Sequence, residues 1–458
     1  MQRLLAIAGL TWKAAFRYRL FWVLSVLLVG AVVGLPLLIK DDGTARGLTQ
    51  ILLTYTLSAI TGLLGFSTLW LACGTLARDI EECQIQMISV KPIARWQIWL
   101  GKWIGILALN AGLLALSGTS VFVLLKMRAS QLPAEQQKIL QEEIFVARAS
   151  LKLPIPDLKT EVEREFQDAL KQSTLSAADQ SELHKQIEER VKAEQQVVPS
   201  RVARRWIIDA GLVKNFMRDQ PLRLRVKFHP AQPVEGATYE ALWQIGPPES
   251  SQLVRLAQRL PGDSFQEFEI PANLLDAEGK LTIDFFNRNE TALLFPLEDG
   301  LEVLYREGTF GLNFARGIGI IFCWLSLLAA LGLAAASVLS FPVAAFFSLA
   351  ILVMGLSSGT LSSVVEQGSV LGADHETGKA FHTVLDSVIV PFFSGMLKII
   401  NLVQDFSPID SLSTGRSITW GQLGQAVAQI IFLLGGIFGG VGMILFSRCE
   451  LATAQGTS

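Results

Sequence analysis

The sequence predicts a polytopic α-helical membrane protein with six transmembrane helices. Between spans three and four it predicts an extracytoplasmic α+β insertion, made of a helical hairpin and a jelly-roll-like β-sandwich. Three observations carry this. Uncharged apolar runs recur, and one of them covers residues 317–365. Residues 126–311 are charged throughout and contain no such run. The 458-residue chain is half hydrophobic yet carries 39 basic and 41 acidic side chains, too apolar for an ordinary soluble protein and too charged for a wholly buried one.

The N-terminal stretch places Leu4, Leu5, Ile7, Ala8, Leu10 and Trp12 among basic Arg3, Lys13, Arg17 and Arg19, the pattern of an amphipathic helix on the cytoplasmic surface. The apolar run after it, 20–39, is longer than a signal core and has no small-residue cleavage site, so it reads as an uncleaved first span. Those basic residues have no acidic neighbours, which puts the N-terminus inside. Span two (52–72) returns inward and span three (104–125) goes out again. The loop between them, 77–99, is then cytoplasmic, with Lys102 snorkelling to the inner surface because a lysine at mid-bilayer costs about 2.5–3.5 kcal/mol.

The insertion has two parts. Val162, Phe166 and Leu170, then Leu183, Ile187 and Val191, recur every four residues in the segment 127–200, which predicts two helices with narrow apolar stripes. Ser176 and Asp179 form a candidate capping box. From 201 to 310 the text alternates instead, in LRLRVKF, SFQEFEIP and KLTIDFFN, with turn signals between, the pattern of a small sandwich. Trp206, Tyr239, Trp243 and Tyr305 could stack on a carbohydrate, but core packing is the simpler expectation. Asn289-Glu290-Thr291 fits a glycosylation sequon, relevant only in a eukaryotic secretory route.

The uncharged run 317–365 is too long for one crossing. Ser340-Phe341-Pro342 is the natural break, giving span four (318–339) and span five (343–363). The outer region 366–422 contains a semi-apolar piece, 384–403, with Asp386, Pro391 and Lys398 inside it, so a re-entrant or interface-lying helix is favoured over a seventh span. Span six is 425–446. Gly435, Gly436, Gly439, Gly440 and Gly442 on it, and Gly30 and Gly34 on span one, form small-residue faces. Packing within one protomer is the expectation for span six, while span one is open to a dimer contact.

The loop before span three carries the most information. Asp79, Glu81 and Glu82 precede apolar Ile85, Met87, Ile88 and Val90, then Lys91-Pro92 and Arg95, which reads as a short surface helix stopped by proline and followed by a helix entering the bilayer. This succession, with KPIAR and IWLGKWIG, resembles the cytoplasmic loop of ABC-2 type transporter permeases, the transmembrane subunits of ABC exporters. SVLSFPVAAFFSLAILVMG, IINLVQDFSPIDSLSTGRSITWGQLGQ and the basic ending LFSRCEL resemble the second membrane half of the same family. The resemblance covers both membrane halves and leaves the insertion outside it. It implies a coupling helix that sits against an ATP-binding cassette subunit, with Asp79, Glu81, Glu82, Ile85, Met87, Lys91, Pro92 and Arg95 as the coupling residues. It also implies a second permease copy, identical or not.

Catalytic chemistry is not expected in this chain. The nearest text to a phosphate-binding loop, 372–380, has five residues between its glycines and Ala380 where a hydroxyl should hold magnesium, so ATP and magnesium are assigned to the partner subunit and no cofactor to this chain. His375 and His382 stand two helical turns apart, too far for one ion. Cys73, Cys83, Cys323 and Cys449 offer no disulfide framework, and the net charge of −2 argues against nucleic acid. The expected function is the permease subunit of an exporter in a bacterial inner membrane, with both termini cytoplasmic. It would couple ATP hydrolysis by a separate subunit to outward transport or extraction of a substrate, with an envelope partner for the external domain. The alternative is a membrane-anchored sensor or scaffold whose external domain binds a ligand.

Overall fold

The structure is a computed structural model and describes residues 2–17, 19–38, 44–82, 93–154, 157–172, 177–234, 236–247, 253–367, 386–404 and 406–448. The chain divides into two compact units, Met1–Phe145 with Thr309–Ser458, and Val146–Gly308.

The first unit begins with α1 (Gln2–Arg17), α2 (Arg19–Leu38), α3 (Ala45–Glu81) and α4 (Arg95–Ala129), followed by the short α5 (Ala134–Ile139). The side chain of Thr44 caps α3 by accepting from the Gly47 N–H at 3.0 Å. The amphipathic N-terminal helix is present as α1, and its Ile7, Ala8, Thr11 and Ala15 stripe is buried. It packs on α4 where that helix carries Gly101 and Gly105. A Cβ at Gly101 would lie 2.8 Å from the Ile7 side chain, and one at Gly105 would lie 2.8 Å from the Ala8 carbonyl oxygen. Only glycine lets the two backbones approach this closely.

The second unit consists of two four-stranded sheets, a three-stranded ribbon and a helical hairpin. In chain order its elements are β1 (Val146–Lys152), α6 (Lys159–Gln172), α7 (Ala177–Gln196), β2 (Val197–Val198), β3 (Ala203–Asp209), α8 (Lys214–Arg218), β4 (Leu222–Val226), β5 (His229–Pro230), β6 (Thr238–Ile245), β7 (Val254–Pro261), β8 (Gln266–Ile270), β9 (Lys280–Asn287), β10 (Leu293–Leu294) and β11 (Leu301–Thr309). One sheet runs β1-β11-β4-β8 and the other β3-β9-β6-β7, the strand order of a jelly roll. Alternate residues of both sheets point into one core, with Leu224, Val226, Trp243, Ile283, Phe285 and Val303 fully enclosed.

Trp206, Tyr239, Trp243 and Tyr305 all belong to this core, as the core-packing expectation has it. The hairpin α6/α7 closes on Val162, Ile187 and Val191 with Phe166 and Leu183 packed against them. Its place differs from the expected division at residue 200. The hairpin is inserted after β1, the first strand of the sandwich, and residues 127–145 belong to the other unit. VARASLK hides its strand character because Ala147 and Ala149 precede Leu151 on the core-facing side and are too small to make a hydrophobic alternation. Ser176 lies outside the described residues. The Asn289 amide donates to the Glu240 carbonyl at 2.9 Å, so this side chain acts as an internal clip between strands.

The chain then returns to the first unit with α9 (Phe310–Ala336), α10 (Phe341–Leu356), α11 (Ser358–Gln367), α12 (Asp386–Gln404), α13 (Pro408–Ser413), α14 (Trp420–Ala426), a π-helical stretch Val427–Leu434 and α15 (Gly435–Arg448). Among the described residues five helical segments are long and apolar enough to cross a membrane: Gly47–Glu81, Arg95–Ala129, Phe310–Ala336, Asp386–Ser413 and Trp420–Arg448. A sixth results if Phe341–Leu356 and Ser358–Val365 count as one span, although they are bent by 67°. The break at Ser340 falls where proline predicts it, with Pro342 in the first turn of α10.

α11 and α12 form a pair that leaves the bend and comes back to it. Gln404, at the end of α12, donates to Ser358 Oγ at 2.8 Å and to the Gly355 carbonyl at 3.3 Å. The piece expected to be re-entrant or interface-lying, 384–403, falls largely within Asp386–Ser413, which is itself long and apolar enough to cross a membrane. In the first turn of α9, Asn313 donates to the Arg416 carbonyl and accepts from the Ile418 N–H, both at 2.7 Å, which fastens the segment leading into α14.

The glycines of the last helix divide. A Cβ at Gly439 would meet the Trp99 ring at 3.2 Å and one at Gly442 would meet Ala334 at 3.0 Å, so these two serve packing within the protomer. Gly436 and Gly440, like Gly30 and Gly34, have nothing within 4 Å.

The close approach of α1 to α4 makes a specific expectation. Replacing Gly105→Ala forces the new methyl onto the Ala8 backbone and should destabilise by about 1–3 kcal/mol, the usual cost of overpacking. Gly9→Ala, whose Cβ meets nothing within 4 Å, should be neutral or slightly stabilising. Thermal unfolding of the detergent-purified chain distinguishes the two.

Candidate functional site

The predicted coupling residues fall at the helix ends on either side of residues 83–92. Ile85, Met87, Lys91 and Pro92 lie outside the described residues, whereas Asp79, Glu81, Glu82 and Arg95 lie within them. The last turns of α3 are charged because the apolar run ends there. The first turn of α4 begins with Arg95 after an extended Ala94.

Asp79 does not face outward. Its Oδ2 lies 2.5 Å from Lys102 Nζ on α4, and the same ammonium donates to the Thr75 carbonyl at 2.8 Å. Lys102 is only 5 % exposed. The expectation that it snorkels to the surface is therefore corrected. An ammonium surrounded by apolar helices stays charged only beside an opposite charge and hydrogen-bond acceptors, and α3 supplies both.

Glu81 is a helix cap. Its Oε1 accepts from the Phe341 N–H at 2.9 Å, one of the backbone donors left over at the start of α10, and a carboxylate there also complements the helix dipole. The Arg78 guanidinium lies 4.6 Å from the centre of the Phe341 ring, and Trp70 meets that ring edge-on at 5.1 Å. Arg95 performs the reverse service for α15. Its guanidinium donates to the Ser447 carbonyl at 2.8 Å and to the Phe446 carbonyl at 3.3 Å, at the C-terminus of α15. Glu82 is exposed at the end of α3.

The outcome is a set of ties that join the two flanks of the 83–92 segment to each other and to two other helix ends. Asp79 holds α3 to α4, Glu81 holds α3 to α10, and Arg95 holds α4 to α15. Deeper between α3 and α4, Asn110 donates to Thr68 Oγ1 at 2.8 Å, a further polar link of the kind that joins helices in an apolar surrounding. Trp99, fully buried one turn into α4, fills the notch of Gly439 and Gly442.

Thr75 was not singled out from the sequence, Lys102 was read there only as a snorkelling lysine, and Phe341 only as part of a helix break. One signal was available for Lys102: it and Asp79 are opposite charges a few residues inside consecutive antiparallel helices, and so stand at similar depth. For Phe341 there was none, because its role rests on a backbone N–H.

Among the described residues no group of three or more His, Cys, Asp or Glu side chains could hold a metal ion. His375, His382 and the glycine text at 372–380 lie outside them. Comparison with protein-family models, with curated proteins and with solved structures finds no match.

The ion pair predicts an asymmetry. Asp79→Asn leaves the enclosed Lys102 ammonium without its counter-charge and should cost about 3 kcal/mol. Lys102→Met leaves a carboxylate that is 21 % exposed and can rehydrate, so it should cost less than half as much. Unfolding of the two variants in one detergent checks the order, and equal losses would contradict it.

Proposed function

We propose that the chain is the membrane-spanning permease subunit of an ATP-binding-cassette exporter. It would couple ATP hydrolysis by a separate nucleotide-binding subunit to outward transport or extraction of a substrate. The observation that carries this reading is the way the flanks of residues 83–92 are tied. A force applied there reaches α3 and α4 directly, α10 through Glu81 and α15 through Arg95. Helix ends joined by buried charge and capping bonds move together, and a transport subunit driven from outside needs such rigid transmission.

In this reading the residues divide by task. Glu82, with Ile85, Met87, Lys91 and Pro92, meets the ATPase, while Asp79, Glu81 and Arg95 pass the motion on. ATP and magnesium belong to the partner, a second permease copy completes the membrane unit, and the surrounding solvent is the lipid bilayer. The protein then sits in a bacterial inner membrane with both termini cytoplasmic. The jelly-roll unit is on the extracytoplasmic side, where an envelope partner can reach it.

Affinity purification of the tagged full-length chain in mild detergent tests the proposal. The expected result is recovery of a Walker-motif ATPase in equal amount, with ATP hydrolysis that depends on the permease. Glu82→Lys should weaken that association about tenfold, since it turns attraction into like-charge repulsion at a contact. Recovery of the chain without any ATPase would instead support a membrane-anchored sensor or scaffold.

A further inference from the structure

The outer face of the sheet β3-β9-β6-β7 carries two adjacent rows of side chains, set by the strand register. One row is Arg205, Asp284, Gln244 and Arg255, one residue from each strand. The next row on the same face is Ala203, Phe286, Leu242 and Ala257. A depression of about 480 Å³ lies over these rows, lined by Arg205, Leu242, Gln244, Arg255, Asp284 and Phe286.

We propose that this face is a binding site for an acidic saccharide, that is, a short run of sugar rings bearing a carboxylate. Strands stand about 4.8 Å apart, so the polar row is roughly 14 Å long, enough for two or three rings laid across the strands. Its chemistry alternates. Arg205 is held to Asp284 by two bonds of 2.7 and 2.9 Å, which fixes a donor and an acceptor side by side. Gln244 offers both functions, and neither its amide nor the exposed Arg255 guanidinium has a hydrogen bond or ion pair among the described residues. Hydroxyl groups both donate and accept, and suit such a row.

The apolar row supplies the other half of the recognition. Phe286 is 38 % exposed, and alanines at both ends of its row leave its ring uncovered for the apolar face of a sugar. The charge of the ligand follows from the balance of the row. Asp284 neutralises Arg205, so the guanidinium of Arg255 is the unmatched charge and calls for a carboxylate. An extended peptide is disfavoured because the inner strands of a sheet have used their backbone donors and acceptors, which leaves only side chains to read the ligand. The inference does not depend on the transport reading.

Titration calorimetry on the full-length chain in detergent tests it, with a galacturonic acid trimer, a neutral galactose trimer and a hexaglutamate peptide as probes. The acid trimer should bind, and the neutral trimer should bind about tenfold more weakly. Arg255→Gln should abolish that difference, and Phe286→Ala should weaken both sugars. Arg259→Gln should leave both affinities unchanged, because Arg259 pairs with Glu240 outside the depression. An unchanged thermal unfolding transition of each variant in the same detergent would verify that it is folded. Absence of binding by the acid trimer, equal affinity for hexaglutamate, or equal losses in Arg255→Gln and Arg259→Gln would overturn the proposal.

Discussion

The first unit depends on how it accommodates one buried ammonium. Lys102 stands between apolar helices and would be untenable alone, since burying an unpaired charge costs several kcal/mol. Asp79 and the Thr75 carbonyl receive it, both from the last turns of α3. The geometry therefore specifies the relative height of α3 and α4, because sliding either helix by one turn, about 5.4 Å, would separate the pair. Apolar contacts are non-directional and tolerate such a slide far better. Charge here acts as a register pin in a bundle otherwise held by shape.

Around that pin the helix ends are completed by side chains from other helices. Glu81 serves α10 and Arg95 serves α15, each answering backbone groups that a helix cannot satisfy within itself. Hydroxyls within the helices are treated differently. Thr11, Thr49, Thr56 and Thr68 all return their protons to the carbonyl four residues earlier, which removes exposed polarity without adding a partner. Glycine provides the remaining freedom. Gly101 and Gly105 admit α1, and Gly332 brings α9 within 2.8 Å of the Ala72 methyl if a Cβ is drawn on it. The unit is specific where charges and close backbones meet, and adaptable elsewhere.

The second unit follows another logic, in which a large aromatic core supplies the stability. Trp243 and Phe285 lie 4.7 Å apart, with Phe295 against both. Asn287 is fully buried at the end of β9, and its amide donates to the carbonyls of Val198, Pro199 and Thr291, so one polar side chain joins the ribbon to the sheet. The outer face of the sheet β1-β11-β4-β8 bears a ladder of opposite charges, Glu302 opposite Arg225 opposite Glu267. The outer face of the other sheet leaves Gln244 and Arg255 uncommitted. Two faces of one sandwich thus differ in whether their polar groups are already satisfied.

Much of this was legible in the residues. The long apolar runs, the break at Pro342, the two amphipathic helices around Phe166 and Ile187, and the alternation of LRLRVKF and KLTIDFFN are local patterns, and each is present as an element. What sequence could not convey is what residues far apart do to one another. β1 was missed because alanines carry little hydrophobic signal, Lys102 was misplaced because its partner lies on another helix, and Glu81 was read as a surface charge although it caps α10. The sequence by itself determined which segments are helix, strand and apolar run, since periodicity and charge exclusion act within a few residues. Only the tertiary structure decided which charges are paired, which glycines are contacts and which face of the sandwich stays open, because those depend on register between elements that no local pattern encodes.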